Sequence, residues 1–175
     1  KFPYVSEKKV TLPAGVDPKQ AFAVIWTTTP WTMPANVAIS VNPELEYGWV
    51  KVGEEYYLMA TELVDAAMKD IGIEDYEIVN RFSGADLELA DFKHPFVERN
   101  STVLLGDHVT LDAGTGCVHT APAHGEDDFN IVQRYNKEGK AELPIVSLVN
   151  ETGNYTKQVD DNRYGDTEFP LAGVE

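Results

Sequence analysis

Gly114-Thr115-Gly116-Cys117-Val118-His119-Thr120-Ala121-Pro122-Ala123-His124-Gly125-Glu126-Asp127-Asp128-Phe129 reads as a strand, a turn and the start of a helix. The Gly-Thr-Gly at its head lets backbone come close to another group, because glycine has no side chain to obstruct the approach. Cys117 to Thr120 has the composition of a short strand, with Cys117 and His119 on one face. Pro122 lacks a donor and ends that strand. Gly125-Glu126-Asp127-Asp128 then opens a helix running Phe129 to Tyr135, its acidic residues suited to the positive end of the helix dipole. Two histidines and three carboxylates between residues 119 and 128 are more polar chemistry than a core requires.

Three simpler chemistries are available to these residues. His119 and His124 with Asp127 or Asp128 have the donor types of a zinc or iron site. Against this, Pro122 forbids a continuous helix, the spacing of five puts the histidines on opposite strand faces, and no second Cys/His cluster completes a site. Cys117 beside His119 has the makings of a thiol–imidazole pair, although a lone cysteine is more often a small buried hydrophobe. One of Asp127 and Asp128 reads as a plain dipole-compensating cap.

Moving outward, Ala21 to Trp26 is a compact apolar run, read as a buried strand. Thr27-Thr28-Thr29-Pro30-Trp31-Thr32-Met33-Pro34-Ala35-Asn36 follows it directly. Two prolines four apart exclude regular helix and central strand, so four threonine hydroxyls and an indole sit in a rigid loop at a strand's end. Further strands are expected at Val10–Leu12, Val37–Val41, Tyr76–Phe82, Asp86–Ala90 and Leu143–Val149, with a hairpin of Tyr47–Val52 and Tyr56–Ala60 across Gly53-Glu54, while Val103–Leu105 and His108–Thr110 lead into the Gly114 stretch. Thr61 caps a helix from Glu62 to Ile71, with Gly72 as its stop. Residues 150–175 read as loop-rich edge structure. About nine short strands and two helices, joined at hairpin lengths, predict an α+β fold: a closed or near-closed, mostly antiparallel β-barrel core with peripheral helices.

Composition bounds the rest. The 175 residues suit a single domain, 1–175, with a real core, and 43% hydrophobic with 25% charged residues is ordinary for a globular protein. No apolar run approaches the ~20 residues that cross a bilayer, so no membrane partner is expected. A single cysteine fits a reducing, cytoplasmic setting. The chain starts without methionine and reads as a piece of something longer. A net charge of −15, from 14 basic and 29 acidic residues, leaves no basic stripe for gripping phosphates. Either nucleic acid is not the partner, or other parts of a larger protein do the gripping.

The two loops together resemble the editing domain (connective polypeptide 1) inserted into class I aminoacyl-tRNA synthetases for branched aliphatic amino acids. Trp26 to Asn36 is similar to the threonine-rich peptide of the isoleucyl branch, and Gly114 to Asp128 to its second signature. Valyl and leucyl relatives carry an arginine where this chain has Thr29, and a residue other than histidine where it has His119. The synthetic-site signatures His-Ile-Gly-His and Lys-Met-Ser-Lys-Ser are absent, so the resemblance implies editing without aminoacylation. Met33 and Cys117 occupy positions at which the family varies.

What the resemblance implies is hydrolysis of the ester of mischarged valyl-tRNA(Ile) at the tRNA 3′ end, a proofreading step of protein biosynthesis. A hydrophobic pocket gains only about 1–3 kcal/mol of discrimination from one methylene, isoleucine against valine being the known instance of that limit. A second site that admits valine and excludes isoleucine removes the error. By resemblance Asp128 is the carboxylate for the α-ammonium, Thr27, Thr28, Thr29 and Trp31 line the amino-acid pocket, and His119 is the wall against the longer side chain. Asn36, Thr32 and the Gly114-Thr115-Gly116 backbone belong to the adenosine and ester surroundings. Asp128, Thr28 and Thr29 are the candidate catalytic residues, acting on a positioned water, with no metal and no cofactor for editing; ATP belongs to the absent synthetic site. The implied partners are the tRNA(Ile) acceptor end carrying valine and the remainder of a synthetase chain, in a monomer. Two other classes remain open: a metal- or thiol-dependent hydrolase using His119, His124 and Asp128, and a non-catalytic module that docks an amino acid or acceptor end.

Overall fold

In the computed structural model, which describes residues 1–6 and 12–161, the chain runs β1 (Phe2–Pro3), β2 (Ala21–Ala23), β3 (Ala38–Val41), β4 (Glu46–Val52), β5 (Glu55–Ala60), α1 (Val64–Asp70), β6 (Glu77–Ser83), β7 (Asp91–Lys93), β8 (Asn100–Leu105), β9 (Val118–Thr120), α2 (Glu126–Lys137) and a single turn α3 (Gln158–Asp161). Short 3₁₀ turns cover Pro18–Gln20, Pro30–Ala35, Thr61–Leu63 and Gly84–Leu87. No described helix is long and apolar enough to cross a membrane.

The strands form two mixed sheets, ordered β1-β2-β5-β4-β6 and β7-β8-β3-β9. Period-two alternation along β4 sets the layering. Tyr47 and Trp49 point into a core between the sheets, shared with Phe2, Ile39, Leu58, Phe92 and Cys117. Val50 faces the other way and packs with Met59 under Val64, Ala67 and Met68 of α1. Gly48 lies between them because a Cβ there would fall 2.7 Å from the Asn80 carbonyl. On the outer face of the second sheet, Val37, Ala38 and Leu104 receive Ile131, Val132 and Tyr135 of α2. Both helices therefore sit outside the sheets, and β3, covered on both faces, is buried along its whole length.

The α+β class and the peripheral helices hold, but the sheets do not close into a barrel. β2 leaves its ladder after Ala23, and among the described residues only single pairs join the sheets beyond it, Trp26 with Val118 and Tyr4 with Phe92. The pairing is mostly antiparallel, five of seven described pairings, but the sheets are mixed: β2 runs parallel to β5, and β3 parallel to β8. Asp86–Ala90 is not a strand, since Ser83 and Asp86 form a reciprocal capping box that winds Gly84–Leu87 into a turn. Leu143–Val149 stays outside the sheets; Asn136 engages both backbone groups of Leu143, and Val149 makes only one bridge, to Tyr155. The expected helix cap at Thr61 is also absent, because its hydroxyl donates to Glu46 (2.8 Å) and a 3₁₀ turn precedes α1. The strand expected at Val10–Leu12 lies, apart from Leu12, outside the described residues, as do residues 162–175 of the expected edge.

Candidate functional site

The two loops singled out in the sequence lie side by side. The Trp26 N–H donates to the Cys117 carbonyl (2.9 Å) and the His119 N–H donates to the Trp26 carbonyl (3.1 Å), so the threonine loop leaves from the flank of β9. Gly114 (φ +84°) passes under the Trp26 indole, where a Cβ would lie 2.5 Å from the ring. Gly116 (φ +74°) sits as tightly against Ala60. Between them Thr115 is buried and its hydroxyl donates to the Val24 carbonyl. The Gly-Thr-Gly stretch thus serves the close approach that glycine permits, and the group approached is the protein's own indole and strand end.

Pro30 to Ala35 forms 3₁₀ turns, with Pro34 inside them. The loop is closed internally: the Thr29 N–H donates to the Thr27 hydroxyl (3.0 Å), and the Thr32 hydroxyl donates to the Thr29 carbonyl (2.8 Å). It is also tied from outside. The His94 Nε2–H donates to the Met33 carbonyl (2.9 Å), the Arg99 guanidinium donates to the Pro34 carbonyl, and the Tyr155 hydroxyl donates to the Trp31 carbonyl. Thr28 and Thr29 are exposed, Thr27 is half-buried, and half of the Trp31 surface is open.

His119 occupies the floor between this loop and the end of β9, 5% exposed. The Asn36 amide nitrogen donates to the Ala38 carbonyl (2.8 Å) and to His119 Nδ1 (2.8 Å), while the Asn36 oxygen accepts from the Ser101 hydroxyl (2.5 Å). Nδ1 is therefore an acceptor, and the proton sits on Nε2, which donates to the Thr32 hydroxyl (2.7 Å). Burial, with smaller contributions from His94 and His124, pushes the His119 pKa down to about 4. The ring is neutral and both nitrogens are occupied, the Nδ1 lone pair by the Asn36 amide, so none is free to take a proton or a metal.

Asp128 stands in the first turn of α2, behind the N-cap Gly125. Its Oδ2 accepts the Ala121 N–H (2.8 Å), which turns the half-buried carboxylate back toward the end of β9. Among the described residues no hydrogen bond reaches Oδ1. Burial raises the Asp128 pKa, opposed by the Ala121 amide, His108 and His124. Asp127 is exposed and points to another surface, a hollow lined by His108, Asn130 and Arg134. Beside Asp128, the His124 ring meets the Trp31 indole edge to face at 5.2 Å.

The structure thus brings together Thr27, Thr29, Trp31, Thr32, Asn36 and His119 through contacts within the loop and with β9, and separates Asp128 from Asp127. Asn36 lies fully buried behind His119. His119, His124 and Asp128 do not converge: among the described residues no three His, Cys, Asp or Glu side chains are grouped to hold a metal. Cys117 is fully buried, its thiol pushed up to about 12, with Sγ facing the Leu58 carbonyl and not His119. His94, Arg99, Ser101 and Tyr155, which hold the loop and its histidine, carried no motif in the sequence; the one available signal was a His-Pro pair and an arginine in a strongly acidic chain.

A pinned hydroxyl-rich loop, a neutral imidazole at its base and a carboxylate at a helix start make up the candidate site. The chain belongs to the synthetase editing-domain family: the family described as leucyl-tRNA synthetase, editing domain, matches over residues 25–168. Within it the sequence is similar to isoleucine–tRNA ligases, 51% identical over 146 residues to that of Lactobacillus helveticus, 55% over 135 to that of Brevibacillus brevis and 48% over 160 to that of Lactobacillus acidophilus. These alignments cover 83%, 77% and 91% of this chain, which spans only 15%, 14% and 16% of the respective relatives. The Plasmodium falciparum cytosolic leucyl-tRNA synthetase editing domain superposes with a TM-score of 0.62 at 14% identity, over 76% of this chain and 56% of that one. The P. knowlesi counterpart gives 0.60 at 14%, over 73% and 55%. These two are likenesses of fold.

Proposed function

We propose that this domain hydrolyses valine from mischarged tRNA(Ile) within an isoleucyl-tRNA synthetase, and that His119 is the wall that excludes isoleucine. The observation that carries the reading is the state of His119: neutral, buried, and hydrogen-bonded through both ring nitrogens. A general base needs a free lone pair near its ordinary pKa, and this ring has neither. A rigid, immobile ring is what a steric sieve needs, because the extra methylene of isoleucine has to be refused by overlap and not by weaker attraction.

In this reading the valyl α-ammonium meets Oδ1 of Asp128, and the Thr28 and Thr29 hydroxyls, exposed above His119, orient the ester and the attacking water. Water adds to the ester carbonyl, and the tetrahedral intermediate expels the ribose oxygen of the terminal adenosine. Catalysis is then orientation and electrostatic stabilisation, with no metal or cofactor assigned. The exposed faces of Trp26 and Trp31, 38% and 50% open, offer surfaces for the adenosine and the side chain. With a net charge of −15 the domain takes only the acceptor end, and the remainder of a cytoplasmic, monomeric synthetase holds the tRNA body.

The test is deacylation of valyl-tRNA(Ile) and isoleucyl-tRNA(Ile) by full-length synthetase carrying His119→Ala. Removing the imidazole opens more room than one methylene, so valine hydrolysis survives in part and isoleucine hydrolysis appears. Loss of valine hydrolysis with no gain toward isoleucine contradicts the wall and favours a catalytic imidazole.

A further inference from the structure

The hydrogen bonds behind His119 run in one direction and begin at a residue outside both sequence motifs. Ser101, on β8, is fully buried. Its hydroxyl faces the Asn36 oxygen, which can only accept, so the serine donates. That donation satisfies the amide oxygen where it stands and leaves the nitrogen side toward the Ala38 carbonyl and His119 Nδ1. His119 is thereby the Nε2–H tautomer, and its proton goes to Thr32, whose own proton goes to the Thr29 carbonyl. The Asn36 nitrogen gives one proton to the Ala38 carbonyl and one to Nδ1, so the amide is held at both ends, and turning it would reverse the His119 and Thr32 links in sequence.

We propose that Ser101 is a specificity-determining positioning residue: by fixing the Asn36 amide it fixes the tautomer and ring plane of His119, and with them the shape of the pocket floor. The inference rests on the reading of His119 as the wall. Ser101 itself does not meet substrate, because Asn36 and His119 lie between it and the loop. Without its hydroxyl the Asn36 oxygen is buried with no donor, a state that favours displacement or rotation of the amide. A displaced amide weakens its bonds to the Ala38 carbonyl and to Nδ1; a rotated one gives up the Ala38 bond and turns its oxygen toward Nδ1, which then needs a proton. Nε2 in turn becomes an acceptor, drawing the Thr32 proton away from the Thr29 carbonyl. The wall loosens together with its Thr32 link, while Asp128, held by the Ala121 N–H, and the loop, still tied through the Met33, Pro34 and Trp31 carbonyls, stay in place.

The experiment compares Ser101→Ala, Ser101→Thr and Asn36→Asp in the full-length synthetase, with wild type and His119→Ala alongside, measuring deacylation of both charged tRNAs. Asn36→Asp keeps an acceptor for Ser101 but offers no proton to Nδ1, so it reaches the same altered state by a second route. Expected is a rise of about tenfold or more in isoleucyl-tRNA(Ile) hydrolysis for Ser101→Ala and Asn36→Asp, with valine hydrolysis changed less than about threefold for Ser101→Ala, equal to ~1.4 and under ~0.7 kcal/mol respectively. Ser101→Thr, which retains the hydroxyl, restores exclusion. A gain for His119→Ala with none for Ser101→Ala or Asn36→Asp overturns the role of Ser101 alone. Parallel loss of both hydrolyses in Ser101→Ala also overturns it, as that marks a general scaffold effect. Absence of valine hydrolysis in the wild type instead overturns the parent reading.

Discussion

Asp128→Asn isolates charge from structure at the proposed ammonium site. The asparagine side-chain oxygen still accepts the Ala121 N–H that Oδ2 accepts at 2.8 Å, so the bond between the start of α2 and the end of β9 persists. What is lost is the negative charge facing a bound ammonium. Breaking a fully buried ion pair by removing one partner costs about 3–5 kcal/mol; Asp128 is only half-buried, which brings the expectation to roughly 2–3 kcal/mol, or ~30–150-fold in valyl-tRNA(Ile) hydrolysis. Asp127→Asn, at an exposed residue aimed elsewhere, should cost less than about fivefold. Hydrolysis is measured with full-length synthetase across pH. Because burial raises the Asp128 pKa, the acid limb of wild-type hydrolysis should lie above the range of an ordinary aspartate, and Asn should remove it. A raised carboxyl pKa means the folded state binds that proton more readily than the unfolded chain, so this limb cannot be unfolding driven by Asp128. Equal losses for Asp127→Asn and Asp128→Asn would refute the single-anchor reasoning.

Acid should destabilise the domain through its buried histidines. His94 and His119 are both held down to about 4, against about 6.5 when unfolded, so each contributes stability that is present above pH ~6.5 and lost as pH falls toward 4, on the order of 3 kcal/mol apiece. Urea denaturation at pH 7 and 4.5 measures this, and His119→Gln should shrink the difference; an unchanged difference counts against it. Replacing Thr27, Thr28 and Thr29 together by alanine should eliminate hydrolysis at a stability cost of about 1 kcal/mol, since the one bond lost to backbone is Thr29 N–H to Thr27. A large fall in melting temperature would make these threonines structural.

Local signals in the sequence served well where local chemistry decides the structure. The β4–β5 hairpin, α2 and the Gly72 stop (φ +75°) follow from alternation, acidic first-turn residues and glycine's freedom at positive φ. Asp86–Ala90 has the look of a strand, but Ser83 and Asp86, three apart, carry the capping-box signal that decides its structure. Parallel pairing of β3 with β8, some sixty residues on, leaves no mark in a short strand's composition, and hairpin-length spacings argued falsely for closure. At the site the two motifs were legible, but their juxtaposition depends on Trp26 pairing across to Cys117 and His119. The holders His94, Arg99, Ser101 and Tyr155 were not legible. They act across 61 to 124 residues of chain, three of them on backbone carbonyls, which any sequence supplies.

The most direct measurement is a crystal structure of the full-length synthetase with a non-hydrolysable valyl-adenosine analogue. The account predicts the α-ammonium within hydrogen-bond distance of Asp128 Oδ1, the ester mimic beside Thr28 and Thr29, and the valine methyls in van der Waals contact with the His119 ring, whose bonds to Asn36 and Thr32 remain intact. An ammonium bound away from Asp128, or a His119 nitrogen released from its partners to meet the ester or its water, would contradict it.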